Sequence, residues 1–361
     1  MKTSRIIIIV LVVVVIVVAA IYAVTVLTAS PSRCTTTWDC AAGYPVQVGG
    51  TFAIAGQQCV ATNSTIYCVG GQDANQGPRN EVYYVSNISP GGNITGWAQS
   101  PESYPQYING ESCVYYSGSI YCVGGSYNDN GDDVASSYYT TLAASGSIGN
   151  WSSTTTFPIP ADSQSCVASS SYIYCVGGNN ETDGSNADST ATNSVWYAPL
   201  SSSGMGKWTL TTPYPTNVYY PSCFTSAGEI YCIGGEDDNG NSLGTAYYAT
   251  LSSAGVGTWT STTSYPVAGT GQACVISSGT ILCVGGETAG GSSPTYTSAV
   301  YYAPLSAGGI GSWKQAPSYP IAVGTTCTMF SGDVYCVGGF DGGSVGENNY
   351  VGYAQLTTLI G

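Results

Sequence analysis

The 361-residue chain contains no histidine. That absence removes the Ser-His-Asp and Cys-His nucleophile systems, in which imidazole carries the proton, and any metal centre built on imidazole. Charge is scarce as well. Charged residues make up 7% of the chain, with six lysines and arginines against 20 acids. Two of the six cations, Lys2 and Arg5, precede a long apolar run, which leaves Arg33, Arg79, Lys207 and Lys314 for the remainder. Four scattered cations build no basic patch, so neither nucleic acid nor an anionic membrane surface is expected as a partner.

The first thing present is the apolar run itself, Ile6 to Ala29, uninterrupted by charge. It is long enough to cross a hydrocarbon core of about 30 Å as a helix. A cleaved signal peptide has a shorter apolar region and small residues at the cut, whereas Pro31 follows the one plausible cut near Ser30. The expectation is an uncleaved signal anchor. The flanking cations keep the N-terminus in the cytoplasm and send the rest outside, a single-pass cell-membrane topology. The division expected is 1–29 as cytoplasmic tip and transmembrane helix, 30–37 as linker, and 38–361 as one folded body.

That body is a repeat. Diglycines end at Gly71, Gly125, Gly178, Gly235, Gly286 and Gly339. Upstream of each lies a cysteine pair nine residues apart: Cys59 with Cys68, Cys113 with Cys122, Cys166 with Cys175, Cys223 with Cys232, Cys274 with Cys283 and Cys327 with Cys336. Downstream comes an aromatic segment, such as "VYYV" or "VWYA", then a tryptophan in five of six units (Trp97, Trp151, Trp208, Trp259, Trp313), then an aromatic-proline step such as "SYP" or "TFP". These marks resemble the kelch repeat family over residues 38 to about 358. The gap from Tyr to Trp, for example Tyr139 to Trp151, is longer than the family's and implies a longer third-to-fourth loop. The resemblance implies an all-β, six-bladed propeller with four strands per blade. Short β-branched and aromatic strands, frequent turn residues and no helical periodicity after the anchor agree with it. The sixth unit lacks a tryptophan, and Trp38 lies spare before the first. The N-terminal strand is therefore expected to complete the last blade.

Read as a hairpin, "CVYYSGSIYC" turns at Ser117 and Gly118 and pairs 116 with 119, 115 with 120, 114 with 121 and 113 with 122. Cys113 and Cys122 then form a non-hydrogen-bonded pair, close enough for a disulfide. Six local disulfides follow, one per blade, which suit an oxidising exterior. Zinc or redox roles do not explain six identical pairs. A Cys34–Cys40 bridge requires a turn before Trp38, because the extended segment spans roughly 20 Å.

Strand alternation sorts the loops onto two faces. Hairpin turns and Tyr-to-Trp loops share one; diglycine-to-Tyr loops and the segments after "YP" share the other. Fourteen of the 20 acids lie between a diglycine and its aromatic segment, so the second face is acidic. Asp129, Asp132, Asp133, Asp183, Asp237 and Asp238 are the candidate ligands for Ca²⁺, which carboxylate, amide and backbone oxygens suit. Solvated turns produce the same composition, and no cofactor is required. Glycosylation sequons stand at Asn63, Asn87, Asn93, Asn150 and Asn180, all but the last on the opposite face. The linker reaches at most about 28 Å, so the acidic face is expected to look away from the membrane.

Galactose oxidase-like enzymes share the kelch propeller but need histidines for copper, and sialidases use several arginines where this ectodomain has two. The expectation is a non-catalytic surface module that binds glycans or proteins through its aromatic and polar loops. The alternatives are a structural protein of the cell envelope and a carboxylate-dependent glycan-active enzyme.

Overall fold

Each cysteine hairpin forms in the register its spacing dictates. In blade 2, Ser112–Tyr116 pairs with Ser119–Val123, with Tyr116 opposite Ser119 and Cys113 opposite Cys122. All six expected disulfides are present, one per blade: Cys59 to Cys68, Cys113 to Cys122, Cys166 to Cys175, Cys223 to Cys232, Cys274 to Cys283 and Cys327 to Cys336. Their Cα atoms stand 4.0–4.1 Å apart, as a close non-hydrogen-bonded pair requires. Cys175, Cys232 and Cys336 are buried in their second strands. The computed structural model describes residues 35–361 apart from 49–50, 53, 74, 76, 87, 90, 128–131, 144–145, 181–189, 290–294 and 343–346. The apolar run, Cys34, Asn87, Asp129 and Asp183 lie outside the described residues. Among the described residues no helix is long and apolar enough to cross a membrane.

Six four-stranded antiparallel blades make an all-β propeller. Blade 2 continues through Ser137–Thr141 to the outer strand Ser152–Ser153. The inner strands are Gln58–Ala61, Ser112–Tyr116, Ser165–Ser169, Ser222–Ser226, Ala273–Ser277 and Gly324–Phe330. Each lies beside the inner strands of both neighbours, blade 6 against blade 1 included. The sixth blade is completed by Asp39–Cys40, whose residues pair with Tyr353 and Gly352 of its third strand. Trp38 takes the sixth tryptophan place. Its ring meets Tyr319 edge-on at 4.9 Å, and its indole N–H donates to Pro317 O at 3.1 Å. Trp208 repeats this with Phe157 and Thr155 O, and Trp259 with Tyr214 and Thr212 O. The turn needed ahead of Trp38 is present, since Thr35 N–H donates to Trp38 O. Cys40 is disulfide-bonded.

The apolar core is six slabs, one between each pair of neighbouring blades. Val60, Tyr67 and Val69 of blade 1, for example, pack on Cys113, Ile120 and Cys122 of blade 2. Second strands carry most of this burial because they are covered on both faces; all five residues of Ser119–Val123 are buried. The diglycines sit at the seams. The second glycine donates its N–H to the next blade, Gly125 to Ala161 O at 2.8 Å and Gly286 to Val323 O at 2.8 Å. The first adopts a left-handed φ of 64° at Gly124 and 65° at Gly285. A Cβ there would stand 2.3 Å from Ala161 O or 2.1 Å from Val323 O. Two glycines are thus required by chain direction and by close approach.

The long Tyr-to-Trp loop is a second small hairpin in blades 3, 4 and 5. Met205, Val256 and Ile310 are buried there, and their N–H groups donate to Thr154, Thr211 and Thr262 Oγ1 of the preceding blade. The second-strand tyrosines complete this clasp. Tyr121 donates to Ser201 O at 2.8 Å, Tyr174 to Ser252 O at 3.0 Å and Tyr335 to Gly92 O at 2.7 Å, each in the next blade's loop. In blade 6 the third strand, Glu347–Gln355, leads into a short helix instead of such a loop. Blade 5 accordingly has Leu282 in place of tyrosine. It packs with Leu356 and Leu359 of a C-terminal helix, Leu356–Ile360. Periodicity did not foresee this helix, which at five residues is too short to show a pattern.

Candidate functional site

The channel between the inner strands widens into a cavity of about 530 Å³ at the diglycine face, a size that suits a small-molecule site. Gln72, Asn109, Tyr220, Glu287, Tyr296 and Phe340 are among the residues lining it, and among the described residues no lysine or arginine lines it. The residue after each diglycine varies from blade to blade: Gln72, Ser126, Asn179, Glu236, Glu287 and Phe340. Four of these, Ser126, Asn179, Glu236 and Glu287, bridge to the residue three before the start of the same blade's inner strand, at Asn109, Asp162, Tyr219 and Thr270. A uniform backbone thereby presents a non-uniform set of side chains.

Blades 4 and 5 contribute adjacent carboxylates. Tyr219 Oη donates to Glu236 Oε1 at 2.5 Å. Burial, then the charge of Glu236, raises the Glu287 carboxyl above its ordinary range, and a hydrogen bond from Tyr296 opposes this. Blades 2 and 3 contribute a second pair, as the Ser126 hydroxyl stands 2.9 Å from Asp133 Oδ1 and 3.3 Å from Asp162 Oδ2. Tyr220 lies between these groups. Desolvation of its hydroxyl, then the charges of Asp162 and Asp133, push its ionisation well above the usual tyrosine range, and Tyr296 adds to this. The residue is nevertheless 45% exposed, and its backbone is left-handed, with φ 51°. The equivalent positions in blades 1, 2 and 5 are Gly56, Gly110 and Gly271, at φ 63–66°. A bulky side chain in this conformation is strained, and such strain gathers at functional sites.

The candidate calcium ligands do not converge. Asp133 is at the mouth, beside Ser126. Asp132 lies next to it on the blade 2 loop. Asp237 and Asp238 belong to blade 4. Asp237 accepts from Asn239 and Asn241 N–H, and the Asn241 bonds, foremost, hold its carboxyl below the ordinary range. Asp238 accepts from Asn217 Nδ2 at 2.7 Å. Among the described residues no three His, Cys, Asp or Glu side chains are grouped closely enough to hold a metal ion. Of the sequons, Asn63, Asn93 and Asn150 are exposed, whereas Asn180 is half-buried in the strand Asn179–Asn180.

Sequence reasoning missed Tyr220, the Glu236 and Glu287 pair, and two exposed tyrosines of the same face, Tyr107 and Tyr127. The signal was departure from the repeat. Tyr220 stands where other blades carry Gly or Ser, and the residue after the diglycine changes along the chain.

Fold and cavity together define a six-bladed β-propeller with an acidic, tyrosine-rich channel mouth. The solved structure described as "Structure of YjhT", also a propeller, is similar to this chain in fold, with a TM-score of 0.66 at 13% identity over 86% of this chain and 95% of that one. No family model matches the sequence, and no curated protein matches it.

Proposed function

We propose that the chain is a kelch-type propeller, tethered to the cell membrane through residues 6–29 with its body outside, that binds neutral glycans at the diglycine face without catalysis. One observation carries the reading. Of the four large apolar side chains exposed among the described residues, three are tyrosines of this face: Tyr107 at 57%, Tyr127 at 46% and Tyr220 at 45%. Exposed tyrosine faces suit the apolar faces of sugar rings, and the carboxylates and amides at the mouth suit their hydroxyls. The cation-free cavity lining disfavours anionic ligands. Glycans on Asn63, Asn93 and Asn150 would shield the opposite face and leave this one open. Asp132 and Asp133 with the Asp129 loop, the Asp183 loop, and Asp237 with Asp238 remain the places to seek a Ca²⁺ contribution.

The test is retention of the full chain, disulfides formed, on a panel of surface glycans with and without Ca²⁺, scoring retention and sugar release together. Retention without release is the expected result, abolished by replacing Tyr220 and Glu287. Release of sugar would make the protein an enzyme, and no retention on any glycan would end the glycan reading.

A further inference from the structure

The residue two places before the first cysteine of each blade is Gln57, Glu111, Gln164, Pro221, Gln272 and Thr325 in turn. The three glutamines do one job. Gln57 Nε2 donates to Val337 O at 2.7 Å, Gln164 Nε2 to Val123 O at 2.7 Å and Gln272 Nε2 to Ile233 O at 2.9 Å. Each acceptor is the residue after the second cysteine of the preceding blade: Cys336, Cys122 and Cys232 respectively. Each amide head also rests on that blade's first seam glycine. A Cβ on Gly338, Gly124 or Gly234 would stand 3.0, 2.6 or 2.2 Å from the respective Nε2.

Blade 2 has a glutamate in this slot. A Cβ on Gly70 would stand 2.8 Å from Glu111 Oε1, so the carboxyl head occupies the place of the amide, and the carbonyl equivalent to the other acceptors is that of Val69. Glu111 is 1% exposed, and among the described residues neither carboxyl oxygen has a hydrogen-bond partner on another residue; its own backbone N–H is the one group that favours the charged form, and burial outweighs it. The titratable groups coupled to it are Tyr44 and Tyr104, both buried and both ionising far above the ordinary tyrosine range. They are therefore neutral. The disulfides flanking the seam, Cys59–Cys68 and Cys113–Cys122, do not titrate. An ionised Glu111 would set an uncompensated charge against acceptors.

We propose that Glu111 is held as a neutral carboxylic acid whose O–H donates to the Val69 carbonyl, so that one bound proton keys blade 2 to blade 1 as the glutamine amides key other seams. Burial pushes this carboxyl up to about 8, in keeping with the geometry. The consequence for stability has a definite sign. An unfolded glutamate titrates near 4.3, so between about pH 4.3 and 8 the folded chain holds a proton that the unfolded chain has lost. Stability from this group is complete at acid pH and falls as pH rises through that window. One proton corresponds to about a tenfold rise in the unfolding constant per pH unit.

The test compares wild type with Glu111→Gln and Gln164→Glu in denaturant unfolding of the full chain, disulfides intact, from about pH 4.5 to about pH 8.5, a range that brackets the window. Glu287 and Asp333, whose carboxyls are also raised, add to the slope of all three proteins and cancel in the differences. Glu111→Gln is expected to lose about one proton of slope and to have an unfolding constant lower on the order of a hundredfold at about pH 7. Gln164→Glu plants the same acid at the next seam and is expected to gain a comparable slope. An infrared band of a protonated carboxyl at about pH 6, inside the window, and lost in Glu111→Gln, would identify the group directly. Parallel pH profiles for wild type and Glu111→Gln, or a wild-type spectrum there without that band, would overturn the proposal. If Glu111→Gln does not fold, the wild-type band and the Gln164→Glu slope decide it.

Discussion

The two faces of the propeller are built from the same six repeats and have diverged in opposite ways. On the hairpin-turn face the same bonds recur. A second-strand tyrosine reaches the next blade's loop in blades 1 to 4, and again from blade 6 to blade 1. The exception, Leu282, occurs where that loop does not exist. On the diglycine face the backbone bonds recur, but the side chains that follow them do not repeat. Repeated side chains here hold blades together, and unrepeated ones are free to meet a ligand.

Substitution of two glycines in one blade gives the largest expected contrast between the faces. Gly285, at the diglycine seam, and Gly279, in the hairpin turn, both have left-handed φ, at 65° and 74°. A Cβ on Gly279 meets nothing within 4 Å, whereas one on Gly285 meets Val323 O at 2.1 Å. Gly279→Ala is expected to cost about 1–2 kcal/mol, the conformational penalty alone. Gly285→Ala should exceed it, at about 3 kcal/mol or more, because the backbone of blade 6 must move as well. Denaturant midpoints measure both. Equal losses would mean that the seam is no tighter than the turn.

The disulfide of the same blade stands at the diglycine end of the hairpin, beside the cavity, and ranks next. Replacing Cys274 and Cys283 together by alanine opens a short loop and is expected to cost about 2–3 kcal/mol. Hydrogen exchange in the strands Ala273–Ser277 and Thr280–Val284 would show which end is released. The inter-blade bonds are denser at the diglycine end, so the turn at Gly279 should lose protection first.

Residue spacing made the frame legible. A sequence separation of nine between cysteines set the hairpin register to the residue in every blade, from Cys59 and Cys68 to Cys327 and Cys336. A tryptophan missing from one end and spare at the other told how the ring closes. The site was less legible, because it depends on which side chains meet across seams. Glu111 reads as one acid among 20 until its slot is compared with Gln57, Gln164 and Gln272. The sorting of acids onto one face was visible, but position along the chain did not separate Asp237, solvated by its own loop, from Glu287, desolvated at the cavity. That distinction arises from packing between blades. The C-terminal helix escaped for the same reason, since it answers a gap at blade 5 rather than a local pattern.

The smallest expected effect on stability carries the largest on binding. Tyr107 and Tyr127 stand on the diglycine face, outside the repeated positions, and are 57% and 46% exposed. Each replaced by alanine should change unfolding free energy by no more than about 0.5 kcal/mol, as for surface positions free of caps and buried bonds. Glycan retention should nevertheless fall by about tenfold or more per ring, since stacking contacts of this kind are worth on the order of 1 kcal/mol or above. Tyr174→Phe on the other face is the control. It removes the bond to Ser252 O and should cost about 1 kcal/mol of stability while leaving retention unchanged. If Tyr174→Phe weakened retention as much as Tyr127→Ala, the division of labour between the faces would be wrong, and binding would depend on the rigidity of the whole ring rather than on the side chains at one mouth.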